Sequence, residues 1–272
     1  MNLSTIIFFS LTSLAVGLLI SNRSRKWLLL IGSVLAIYWL QPPLPIRNLD
    51  FWLPTATIAL TIMIYAITRK PAESFWAENR NTTFVLVALI LAIGATRYLP
   101  SLCCLSPTRP PQFPQVIFGL VIIALTVGAA LLSASKQIRF FNIPALILIG
   151  LFILLKTETF ATYGSVWLRA LTSQSPDLAA SQDIQWLGFS YVSFRLLHTI
   201  RDRTAGRLPD LSLSEFVTYI IFFPAFTAGP IDRVQRFLND LHAEFLLAAP
   251  QIITGGRRIL TGIFKKFVKI SH

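Results

Sequence analysis

Apolar residues fall in long runs along this chain, and the charged residues collect in the gaps between them. The runs cover residues 3–20, 27–40, 52–68, 82–98, 116–133 and 140–155. As helices they rise ~1.5 Å per residue, so the longer ones approach the ~30 Å hydrocarbon core of a bilayer, and the run at 27–40 is a short span. Two shorter runs, 186–200 and 213–223, follow. The pattern predicts an all-α fold, a polytopic transmembrane helical bundle that forms one membrane domain over residues 1–272. Nothing basic precedes the first run, which a signal peptide would want, so that run is expected to be a span.

The stretch from 186 to 241 breaks this regularity. Tyr191, Arg195, His198 and Asp202 are spaced 4, 3 and 4 apart and form one polar stripe on a helix. Phe189, Val192, Phe194, Leu196 and Leu197 are expected opposite it. Charged groups in lipid face the bundle interior or a wet cavity, so the stripe is expected to wall something polar. Ser175-Pro176 is expected to cap this helix.

Ser212 and Glu215 have capping-box spacing, so a second helix is expected near Leu213. Pro224 should stop or kink it, since it removes a backbone donor. Irregular backbone is then expected through Gly229 and Pro230, with a new helix from Pro230. Its apolar face would hold Ile231, Val234, Phe237, Leu238 and Leu241, with Arg233, Arg236 and Asp240 elsewhere. The segment near 213–241 is therefore read as broken and re-entrant-like, a shape tolerated at membrane depth only where protein or water satisfies the backbone.

Residues 157–185 hold Phe160, Tyr163, Trp167, Leu168 and Leu171, enough for a helix lying in the membrane interface. A loop folded over the bundle fits equally well, and the sequence leaves both open.

Composition agrees with a membrane protein. Hydrophobic residues make up 54% of the 272 and charged residues 13%, with mean hydropathy +0.64. Soluble domains carry about 25% charged residues. The net charge of +12 does not point to nucleic acid in so apolar a chain. Topology explains it better: alternate connections hold 11 Lys and Arg against 5 in the others. The positive-inside bias then places the N-terminus outside, in a multi-pass membrane protein. Arg257, Arg258, Lys265, Lys266 and Lys269 alternate with apolar residues and are expected to meet an anionic cytoplasmic surface. Cys103 and Cys104 have no metal-ligand spacing; free packed thiols are the favoured reading, an intermolecular disulfide the other. No metal site is expected.

Phe222-Phe223-Pro224, then Thr227-Ala228-Gly229-Pro230-Ile231-Asp232-Arg233, then Arg236-Phe237, resembles the signature of the membrane-bound O-acyltransferase family. The likeness is to its bacterial branch, which holds the D-alanyl transfer protein of teichoic acid modification and alginate O-acetyltransferase. Gly188-Phe189-Ser190-Tyr191, Phe194-Arg195, Asp202 and Gly262-Ile263-Phe264-Lys265-Lys266 fit the same pattern. The motifs lie within about residues 186–270. The resemblance implies a bacterial plasma-membrane enzyme. It would move an acyl group from a cytoplasmic thioester donor, an acyl-carrier protein or acyl-CoA, to a hydroxyl of a cell-envelope polymer or glycan. No bound cofactor is implied, and the lipid bilayer is the other partner.

In that family the proposed catalytic His follows these motifs, and His198, His242 and His272 do not match its position. The resemblance therefore implies the N-terminal part of the enzyme, with the C-terminal catalytic portion absent and the chain inactive alone. His198 is read as a structural or tunnel-lining residue bonded to Asp202, with general base as the alternative. Arg195 is read either as a ligand for an acyl-donor phosphate or carboxylate, or as a buried arginine bonded to backbone carbonyls. Asp232 and Arg233 either shape a substrate path or pin the broken backbone. The basic segment with Lys265 and Lys266 has contact with an acyl carrier as its second reading. The rival class for the whole chain is a non-catalytic scaffold or a transporter with a polar intramembrane cavity.

Overall fold

The computed structural model describes residues 22–69, 75–99, 105–135, 142–227, 232–243 and 249–267. The expected first span at 3–20, Cys103 and Cys104, Gly229, Pro230 and Ile231, Lys269 and His272 lie outside these. The chain divides into two compact units, one of Lys26–Asn239 and one of Met1–Arg25 with Asp240–His272.

Every regular element among the described residues is helical. In chain order they are α1 (Asn22–Trp39), α2 (Leu49–Thr68), α3 (Phe75–Ala95), α4 (Phe113–Ser135), α5 (Asn142–Lys156) and α6 (Glu158–Leu171). Then come α7 (Phe189–Thr204), α8 (Leu213–Ile220), α9 (Val234–His242) and α10 (Ala249–Phe267). Three are long and apolar enough to cross a membrane: α2, α3 with its 3-10 extension to Tyr98, and α4. The pair α5 and α6 passes the same test together but bends by 94° at Thr157.

α2 is the central element of the larger unit and packs against α4, α7 and α8. Apart from Asp50 in its first turn and the Tyr65 hydroxyl, its polar side chains are threonines, and those satisfy themselves. The hydroxyls of Thr55, Thr57, Thr61 and Thr68 donate to the carbonyls of Phe51, Leu53, Thr57 and Ile64, each four residues back, at 2.7–3.1 Å. Such back-bonding lets a hydroxyl lie in a dry interior without a neighbour's help. The hydroxyl oxygens of Thr55 and Thr57 then serve as anchors for Tyr38 at 2.7 Å and for the Trp186 indole N–H at 2.9 Å.

α4 is the opposite case. Phe118, Val121, Leu125 and Leu132 point outward, all at least half exposed. An apolar face of this size is suited to lipid rather than water. The larger unit is thus a helical membrane bundle with a core around α2 and an apolar face on α4.

Several helices begin earlier than the apolar runs suggest. α1 takes Arg23, Arg25 and Lys26 into its first two turns, and α3 takes in Glu78, Asn79 and Arg80. Apolar periodicity cannot see such polar ends. The expected cap at Ser175-Pro176 needs correction. Those residues open only a 3-10 turn, Pro176–Leu178, and the polar-stripe helix starts at Phe189. Gly188 makes the entry, at φ +69°, a left-handed conformation that glycine adopts without steric cost.

In the smaller unit, Arg25 donates to the carbonyls of Leu241 and Ala243, both at 3.0 Å. There α10 carries Arg257, Arg258 and Lys265 at exposed positions beside exposed Ile253, Leu260 and Phe264.

Candidate functional site

Arg195, Phe222, Phe223, Pro224, Asp232 and Phe237 come together where α8 ends. Its start is as the spacing predicts: the Glu215 N–H donates to the Ser212 hydroxyl at 3.4 Å, and the Ser212 N–H donates to the Glu215 carboxylate at 3.0 Å. Asn79, buried in α3, adds a further cap by accepting from the Leu213 N–H at 3.1 Å. Lys26 pairs with Glu215 at 3.2 Å.

α8 was expected to run to Phe223; it stops at Ile220, and a 3-10 turn, Phe223–Ala225, replaces its last turn. The cause lies in two missing donors. A continuing helix would bond the N–H of residue 223 to the carbonyl of 219, and that of 224 to the carbonyl of 220. Pro224 has no N–H. The Phe223 N–H is diverted to the buried Ser33 hydroxyl of α1, at 3.3 Å.

Arg195 takes up the released carbonyls. One terminal nitrogen donates to the carbonyls of Tyr219 at 3.0 Å and Ile220 at 2.9 Å, and the other to that of Ala225 at 3.1 Å. Its guanidinium also lies 5.7 Å from the centre of the Tyr219 ring. A helix C-terminus carries roughly half a negative charge, so a cation there is stabilised. Arg195 is 3% exposed, and no carboxylate bridges to it among the described residues. Its Nε has no partner.

The polar stripe is divided rather than buried whole. The buried face of α7 is Phe189, Val192, Ser193, Leu196, Thr199 and Ile200. The stripe runs along the flank of that face, and Arg195 reaches inward from it. Tyr191 and Asp202 are half-buried and His198 is exposed. The expected bond from His198 to Asp202 is absent. The Asp202 backbone carbonyl instead accepts from the N–H groups of Arg207 and Leu208 and closes the helix end.

Beyond the break, Asp232 and Arg233 precede α9. The Asp232 carbonyl accepts from the Tyr219 hydroxyl at 2.8 Å. Its carboxylate lies 3.7 Å from Arg236, an exposed pair with little energetic weight. Phe237 packs at an angle against Tyr219 and edge-on against Phe222, with ring centres at 5.4 and 5.3 Å. The expected apolar face of α9 is buried at Val234, Leu238 and Leu241. Arg233 is exposed, Lys265 is exposed on α10, and Lys266 lies in the same helix. Phe223 and Pro224 form the 3-10 turn itself.

Sequence reasoning missed the residues that hold α7 in place. Gln41 is 2% exposed; its amide donates to the Gln185 carbonyl at 2.7 Å, and its oxygen accepts from the Leu187 N–H at 3.3 Å. A single Gln after an apolar run gives no periodic signal, although its place before Pro42-Pro43 marks a chain reversal. A pocket of about 270 Å³ opens near the ends of α2 and α7, lined among others by Tyr65, Arg69, Glu78, Arg203 and Asp210. Its charges have both signs, and Arg203 donates to the Arg69 carbonyl at 3.2 Å. Among the described residues no cluster of His, Cys, Asp and Glu could hold a metal ion.

Comparison with known proteins adds a relationship. The chain is similar to the teichoic acid D-alanyltransferase of Lacticaseibacillus rhamnosus, 26% identical over 173 residues, 63% of this chain and 36% of that protein. It is 34% identical over 104 residues to the protein of the same name from Streptococcus thermophilus, 36% of this chain and 24% of that one. A third, from Bacillus subtilis, is 34% identical over 88 residues, 31% of this chain and 22% of that one. Each match spans little more than a third, or less, of the curated relative's length. No family model and no solved structure matches the chain. The chain is related to acyltransferases, and its apolar helices make it a membrane protein.

Proposed function

We propose that this chain is the N-terminal part of a bacterial membrane-bound O-acyltransferase. The enzyme would move an acyl group from a cytoplasmic thioester to a hydroxyl of a cell-envelope polymer, the acceptor class named in its relatives. The observation that carries the reading is the Arg195 clamp. The residues that resemble the family signature, Phe222 to Pro224 and Asp232 to Phe237, lie on either side of a helix break. That break is held by a buried cation rather than left to solvent. Broken backbone at membrane depth survives only where protein or water satisfies its polar groups, and here a side chain of the same chain does so.

The helices alternate across the bilayer from an external N-terminus. The ends of α2 and α7 bearing Arg69 and Arg203 then face the cytoplasm, and the donor approaches there, by the pocket between them. Acyl transfer to a hydroxyl needs a base at the reacting oxygen, and such a group contributes typically ~10²–10⁴-fold. His198 is exposed on the α7 flank with no carboxylate bonded to it, which favours a base other than His198. The chain supplies walls and donor-side surface, and the base comes from elsewhere in the enzyme.

The experiment is incorporation of labelled acyl groups into envelope polymer in cells lacking related enzymes. The chain alone should give none. Co-expression with a C-terminal half from a relative should restore incorporation, since inserted helices can associate afterwards. Robust incorporation by the chain alone, lost in His198→Gln, would make His198 the base and overturn the assignment. No incorporation in any combination would favour the scaffold or transporter class.

A further inference from the structure

We propose that α6 lies flat in the lipid–water interface, with its outward face set into the boundary between headgroups and acyl chains. The proposal needs only that the chain sits in a bilayer, not that it transfers acyl groups. α6 is inverted relative to a helix on the surface of a soluble protein. Its inward face carries polar groups, Ser165 and Arg169, which are buried. Both donate to one Asp183 oxygen, at 2.5 and 2.7 Å, and the Ala180 N–H donates to the same oxygen at 3.2 Å. The outward face carries Phe160, Tyr163, Trp167 and Leu171, which are 51–68% exposed. A helix that hides its arginine and presents tryptophan has a solvent other than water on its outer side.

The kind of apolar residue locates that solvent. On α4 and α5 the large exposed apolar side chains are Ile, Leu, Val and Phe, with no Trp or Tyr. Elsewhere exposed Trp and Tyr sit at helix ends: Trp39 closes α1, Trp76 lies at the start of α3, and Tyr98 ends the extension of α3. Amphipathic rings concentrate at the two membrane interfaces, where one edge is apolar and the other wet. Tyr163 and Trp167 belong to that belt. The bend of 94° after α5 turns the chain from across the bilayer to along it. The segment after α6 also returns to the loop that follows α1. Gln174 donates to the Pro45 carbonyl at 3.0 Å and accepts from the Arg47 N–H at 2.9 Å. That ties α6 to the level at which Trp39 ends.

The test is nitroxide labelling of single-cysteine variants at 160, 163, 167 and 171, with Cys103 and Cys104 replaced by Ser. The chain is reconstituted in phosphatidylethanolamine–phosphatidylglycerol vesicles, and collision with oxygen is compared with collision with a water-soluble nickel complex. A label at Leu125 of α4 marks the hydrocarbon interior. All four α6 labels should favour oxygen over nickel, less strongly than Leu125, at one depth within a few ångströms. Eleven residues separate 160 from 171, about 16 Å along a helix. A steady depth gradient of that order would make α6 re-entrant and overturn the proposal. Nickel-favoured collision at all four would place the face in water, and shielding from both reagents would mean that protein covers it. Either result would also overturn it.

Discussion

Two arginines are buried to a similar degree here, and they are neutralised by different means. Arg169, 6% exposed, meets the Asp183 carboxylate at 2.7 Å. Arg195, 3% exposed, meets the carbonyls of a broken helix end. The first arrangement joins two segments through a group that can take up a proton. The second uses fixed dipoles, which do not titrate. The two clamps should therefore respond differently to mutation and to acid.

The largest effect is expected at Arg195. Arg195→Leu leaves three carbonyls unpaired in a dry interior, at ~1–3 kcal/mol each. Membrane accumulation of a fluorescent fusion should fall severalfold, and Arg195→Lys should be intermediate, because an ammonium lacks the planar fork. Phe194→Leu, at an exposed neighbour, should stay near wild type. Wild-type accumulation of Arg195→Leu would remove the clamp from the account.

Asp183→Ala should come next, at about 3 kcal/mol, since it strands a buried guanidinium. Acid should sharpen the contrast. Burial alone would raise the Asp183 carboxyl pKa. The Arg169 and Ser165 side chains and the Ala180 N–H outweigh that effect and hold it below the ordinary carboxylate value. The contribution of Asp183 is then fully present above the unfolded-state pKa and is lost as pH falls through the lowered folded value. The unfolding midpoint in detergent should drop in that acid window. Asp183→Asn should flatten the drop, and Arg195→Lys should leave it unchanged. An equal drop in Asp183→Asn would assign the acid sensitivity to other carboxylates.

Gly188→Ala is expected to be smaller again, about 2 kcal/mol for a left-handed residue with a crowded side chain. An added Cβ would sit 2.5 Å from the Phe226 ring. Phe226→Leu in the same chain should recover part of the loss in unfolding midpoint; no recovery would point to backbone strain alone. His198→Gln and Asp202→Asn should change the midpoint least, within about 0.5 kcal/mol, as substitutions outside the core usually do.

The contrast between the clamps also measures what the sequence could reveal. The apolar runs, the Ser212–Glu215 cap and the break at Pro224 were legible because each depends on residues close in sequence. The division of the stripe was not. Tyr191, Arg195, His198 and Asp202 share a helix flank by spacing, but only the neighbours at 219, 220 and 225 decide which of them is drawn inward. Ser33 and Gln41 were invisible for the same reason: each is a lone polar residue whose partner lies more than 100 positions away. Asp183 carries no periodic signal, although Arg169 and Ser165, four residues apart on α6, suggest a paired acceptor.

The most direct measurement of the central claim is a double-mutant cycle between Arg195 and Pro224. Arg195 replaces donors that the break has removed. Pro224→Ala restores an N–H that can take the Ile220 carbonyl, which Arg195 holds at 2.9 Å. Unfolding midpoints of wild type, Pro224→Ala, Arg195→Leu and the double variant, in one detergent at one scan rate, give the coupling. Arg195→Leu should cost at least about 1 kcal/mol less in the Pro224→Ala background, within the usual ~0.5–3 kcal/mol range for residues in one network. Additivity of the two substitutions would contradict the claim and leave Arg195 and the break as independent features.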